Sequence, residues 1–148
     1  MKATCLLAAA CLLWAGHTHA QSTGDCPALP ADSGLAWEKL DGGEFVFCKA
    51  MRASDGGQAF AVTISEDSPF KPRRSDRLDE TVIDGHQTHW YSSEVAGNPG
   101  LLVRETLVEL DDDQVAHIAL RAVSEEELDR SMDLVERLQF ADARLSSN

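Results

Sequence analysis

Short alternating runs separated by Gly- and Asp-rich turns dictate what this chain can become. Asp41-Gly42-Gly43, Asp55-Gly56-Gly57, Asp84-Gly85, Gly97-Asn98-Pro99-Gly100 and Asp111-Asp112-Asp113 recur at the spacing of hairpins. Between them, apolar side chains repeat with period two, the signature of strands with one buried face. In Gln58–Ser65, Phe60, Val62 and Ile64 point one way and Ala59, Ala61 and Thr63 the other. Glu44–Met51 is the expected partner of that strand in a hairpin. Leu35–Leu40 reads as a short edge strand anchored by Trp37. Thr81-Val82-Ile83 runs through Asp84-Gly85, a strong tight-turn signal, into His86–Tyr91. Leu101–Leu110 and Gln114–Val123 form a further hairpin, with Ala116, Ile118, Leu120 and Ala122 on one face.

The pattern changes period once. Ser124 followed three residues later by Glu127 is a capping box, and Leu128, Met132, Val135 and Leu138 then share a helical face widened by Leu134. Glu125, Glu126 and Glu127 suit the positive end of a helix, and Phe140 is expected to pack just beyond its end. The expected fold class is α+β: an antiparallel sheet of about five to seven strands with a C-terminal helix packed on one face.

The organisation expected along the chain is a signal peptide over 1–20, an extended arm over 21–34, one domain over 35–141 and a tail over 142–148. Lys2, the apolar run Cys5–Ala15 and the small residues around Ala20 make the leader. Cleavage near Ala20 would place the product in the periplasm or outside the cell. The apolar run is too short for a membrane helix and no later segment is longer, so no transmembrane segment is expected. The 128 residues left suffice for one core. The leader takes away Lys2 and leaves 12 basic against 25 acidic residues, a formal charge of −13. That surface repels nucleic acid and anionic lipid and attracts a basic protein.

Cys5 and Cys11 leave with the leader. Cys26 and Cys48 remain, and in an oxidising compartment they most simply form one disulfide. It closes a loop of 23 residues and ties the Pro-rich arm to a strand.

The Val82-Ile83-Asp84-Gly85 turn before an aromatic strand, the paired strands Leu101–Leu110 and Gln114–Val123, and the ending from Ser124 to Phe140 resemble the PsbP-like α/β/α fold. That fold also occurs in DcrB-type periplasmic proteins and in small immunity proteins of bacterial secretion systems. The resemblance covers about Phe45 to Phe140, although this chain lacks an obvious early helix before its long loop. It implies a binding protein rather than an enzyme.

No phosphate loop, nucleophile elbow or triad spacing is present. His86 and His89 fall on opposite faces of one strand, and His117 lies on the polar face of another, so the three make a poor zinc set; no metal and no cofactor is expected. Asp111, Asp112 and Asp113, with Glu109, offer carboxylates for calcium or simply a solvated turn. Lys71, Arg73, Arg74 and Arg77 form a basic cluster beside Pro69 and Pro72. They either grip carboxylates of a partner or pair with Asp76, Asp79 and Glu80. Trp37, Trp90 and Tyr91 read as core. The leading functional expectation is an exported, non-enzymatic domain that docks a protein through Lys71–Arg77 or Asp111–Asp113, such as an inhibitor of a basic secreted toxin. An envelope accessory subunit or ligand carrier and a small metal-dependent hydrolase are the alternatives.

Overall fold

A computed structural model describes residues 26–111 and 113–141. The expected leader and its cleavage point, the start of the arm, Asp112 and the tail lie outside the described residues. Seven strands follow in chain order: β1 (Leu35–Asp41), β2 (Phe45–Arg52), β3 (Gln58–Ser65), β4 (Arg77–Ile83), β5 (His86–Ser93), β6 (Leu102–Glu109) and β7 (Val115–Ala122). One helix, α1 (Glu125–Glu136), closes the domain. The strands form a single antiparallel sheet in the order β1-β2-β3-β7-β6-β5-β4. The α+β class, the helix and six of the strand positions are as read from the sequence. β4 is longer than the expected 81–83 because it begins at Arg77, which is therefore a strand residue and not part of the loop.

The β4–β5 turn shows why the Asp-Gly signal works. Asp84 and Gly85 both have positive φ, 48° and 80°, as the two central residues of a type I′ turn must. Asp84 then accepts a hydrogen bond from the Phe140 amide at 2.7 Å, pinning the chain beyond the helix to this turn.

Cross-strand partners share a face, and the register assigns the two sides of the sheet. Val46, Cys48, Phe60, Val62, Ile64, Ile118, Leu120, Val108, Ile83 and Trp90 make the inner face and the main core. α1 roofs its β7-to-β4 half, burying Leu128, Ser131 and Val135 and, just past its end, Leu138. Ser124 caps the helix by accepting from Glu127 N at 3.2 Å. Glu127 in turn accepts from Val123 N, one residue before the cap, at 3.0 Å and also holds Arg52 Nη1 at 3.1 Å.

The arm roofs the β1–β2 half. Cys26 and Cys48 are disulfide-bonded with Cα atoms 6.0 Å apart, both buried. More than the disulfide holds the arm: Ala28 bridges Gln139, Pro27 O accepts from Trp37 Nε1 at 2.7 Å, and Asp32 pairs with Arg137. Trp37 is half-buried, edge-on to Phe60. Trp90 is core on the inner face, and Tyr91, the next residue, is buried on the opposite one. Among the described residues no helix is long and apolar enough to cross a membrane.

Candidate functional site

β3 sits mid-sheet and β4 at one edge, so the segment 66–76 must cross β7, β6 and β5. It crosses the outer face, the one α1 leaves uncovered. Local side-chain bonds shape it: Ser65 Oγ donates to Asp67 O, and Ser68 Oγ accepts from Phe70 N. Pro69 and Pro72 stiffen it. Its one apolar residue beyond the prolines, Phe70, is pressed onto the sheet. The Phe70 ring stacks on His117 with centroids 4.9 Å apart and planes 11° apart, and meets Tyr91 edge-on at 5.8 Å. A short 3-10 turn at Arg74–Asp76 ends the crossover, and Ser92 Oγ donates to Asp76 O at 3.4 Å.

Between this segment and β5 and β6 lies a cleft of about 460 Å³. Phe70 and Tyr91 are its aromatic walls, Ser93 and Glu105 its inner polar groups, and Lys71, Arg73, Asp76, Ser92 and Glu94 complete the lining. His117 Nε2 lies 3.0 Å from Glu105 Oε1, with both side chains largely buried. The hydrogen bond from His117 holds the Glu105 carboxyl below the usual carboxylate range. Burial opposes this and Ser93 assists. With Glu105 ionised, His117 Nε2 is the donor.

The order of these groups decides their chemistry. Ser93 Oγ donates to Glu105 Oε2, and His117 binds the other oxygen. The carboxylate thus sits between hydroxyl and imidazole, whereas activating a serine requires the imidazole in the middle. The Ser93 proton is directed at the carboxylate and not at the imidazole, and both bonds keep Glu105 as the negative group of the cleft.

The sequence-derived candidates divide. Lys71 and Arg73 line the cleft; Arg74 and Arg77 lie next to it in the chain but not in its lining. All four are exposed. Pairing with Asp76, Asp79 and Glu80 does not occur. Lys71 Nζ pairs with Asp67 at 2.6 Å, Asp76 accepts from Ser75, and Glu80 lies 3.8 Å from His89. Asp111 and Asp113 are exposed at the β6–β7 tip, away from the cleft lining, with Asp113 at φ 58°. His86 and His89 do face opposite sides, as their partners Ile83 and Glu80 show. Among the described residues no three His, Cys, Asp or Glu side chains converge as metal ligands.

No family model matches this chain, and no curated protein or solved structure matches it. The site therefore rests on its geometry. Reading the sequence missed Phe70, Ser93 and Glu105. For Phe70 a signal existed: a lone aromatic between two prolines in a charged segment needs something to cover. For Glu105 and Ser93 none did, because the pairing of β5 with β6 brings them together.

Proposed function

We propose that this chain is an exported, non-enzymatic protein-binding domain of the bacterial envelope, of PsbP-like build, serving as an immunity-type inhibitor of a secreted toxin. The observation that supports this reading most is the crossover. On an acidic chain, Arg73, Arg74 and Arg77 stand exposed at the end of a proline-stiffened segment, and none has an ion-pair partner among the described residues. Unpaired guanidinium groups on a pre-ordered backbone lose little freedom on gripping carboxylates, which favours specific docking. The surrounding acidity hastens encounter with basic surfaces. Export, cleavage near Ala20 and the disulfide belong to the same reading, since an oxidising compartment keeps the pair Cys26–Cys48 closed.

Co-expression with exported toxins encoded beside it tests the proposal. The wild-type chain is expected to restore growth with one of them and the folded triple variant Arg73→Glu, Arg74→Glu, Arg77→Glu to fail. Growth restored equally by both removes the crossover from the reading, and rescue by neither removes the inhibitor reading.

The volume of the cleft supports a second reading, an envelope carrier of a small ligand. Native mass spectrometry of protein purified from its own envelope separates the two: a stoichiometric added mass favours the carrier.

A further inference from the structure

We infer that the cleft between the crossover and β5–β6 seats one basic side chain, arginine or lysine, of a protein partner. This rests on the protein-binding reading above and names the group that this surface selects.

Its lining holds three carboxylates, Asp76, Glu94 and Glu105, against two cations, Lys71 and Arg73. Lys71 is already engaged by Asp67. The charges are also layered. Lys71 keeps 70% of its side chain exposed, whereas Glu105 keeps 18%. The negative group therefore lies within and the cations stand at the opening.

Glu105 has room for a further donor. A carboxylate offers about four acceptor positions, and Ser93 and His117 each occupy one, on different oxygens. The aromatic lining by Phe70, whose other face is taken by His117, and Tyr91 suits the same guest, because an aromatic ring attracts a guanidinium or ammonium group that also donates to the carboxylate. An apolar guest would strip water from Glu105 without replacing its hydrogen bonds, and an anionic guest would meet Glu94 and Glu105 directly.

Amide NMR of the purified full-length protein, titrated with N-acetyl-L-arginine amide, N-acetyl-L-lysine amide and N-acetyl-L-glutamate amide at constant ionic strength, tests the seat. The two basic probes are expected to give saturable shifts at Tyr91, Ser93 and Glu105 in about the millimolar range, as one charge-assisted contact allows. The glutamate probe should give none. Glu105→Gln should weaken the arginine probe about tenfold, and Arg73→Gln should leave it equal or tighter. No saturable shift, or saturation by the glutamate probe that Arg73→Gln abolishes, overturns the inference. If Glu105→Gln loses its dispersed spectrum, Phe70→Leu replaces it: several-fold weaker binding is expected, and unchanged affinity overturns the aromatic seat. Toxin neutralisation with no probe binding removes the seat alone, whereas loss of both removes the protein-binding reading as well.

Discussion

Phe70 lies flat on the His117 imidazole, centroids 4.9 Å apart, and so pins an otherwise polar crossover to the sheet beside the Glu105–His117 pair. Cutting it back should loosen the crossover and expose the His117 ring. Phe70→Ala should cost about 2 kcal/mol, less than a fully buried phenylalanine because the ring is only half-buried. Urea denaturation measures the cost. Hydrogen exchange should locate the loosening in 66–76 and leave the β3–β7 ladder protected.

Stability should carry the mark of Glu105 at acid pH. Its carboxyl titrates below its ordinary value of 4.5 when folded, chiefly through the hydrogen bond from His117. The folded value is depressed, so the stabilisation is complete above the ordinary value and is lost as pH falls through the folded one. Glu105→Gln should therefore be less stable than wild type at neutral pH. Its stability should also fall less steeply with acid over about pH 5 to 3, followed by urea titration at each pH.

The disulfide should matter through the unfolded chain. Cys26 and Cys48 span a 23-residue loop, and opening it should remove roughly 3 kcal/mol. The double variant Cys26→Ala, Cys48→Ala should melt well below wild type, with the arm residues 26–34 losing protection first. Both sulfurs are buried, so reductant alone should act slowly on the folded protein.

Glu127 joins the helix start to the β2–β3 hairpin, because one carboxylate serves Val123 N and Arg52. Glu127→Ala removes the acceptor for Val123 N and an ion pair together. A loss of about 1–2 kcal/mol is expected; Arg52→Ala also removes its bonds to Asp55 and Gln58 O, so a double-mutant cycle is needed to isolate the Arg52–Glu127 coupling.

Trp90 separates packing from hydrogen bonding. It is 1% exposed, and its Nε1 has no hydrogen-bond partner among the described residues. Trp90→Phe removes the orphaned donor along with some volume, and should cost less than about 1.5 kcal/mol. Trp90→Ala should cost about 4 kcal/mol, and calorimetry or urea unfolding distinguishes the two.

The strands around Phe60 and Ile118 and the helix from Ser124 were legible because local rules govern them: alternation, paired positive-φ turns and capping. The pairing of Cys26 with Cys48 was legible because the expected leader sets Cys5 and Cys11 aside and leaves one possible bridge. β4 before Thr81 was not, since Arg77 to Glu80 carry no apolar alternation and are held in the sheet by backbone pairing with β5. Glu105 and Ser93 each sit unremarkably in their own strands. Only the strand order, which carries the chain from mid-sheet to the edge at 66–76, makes a cleft of them. Long-range topology has no local residue signature, and the candidate site depends on it more than the core does.

On the proposed function, a protein partner docks on the crossover and its cleft. Hydrogen–deuterium exchange of the protein, alone and with any exported toxin whose toxicity it is found to suppress on co-expression, is the decisive measurement. Protection gained at 66–77 and 91–94 is the predicted result; protection confined to β1 or α1, with the crossover exchanging as in the free protein, would contradict it.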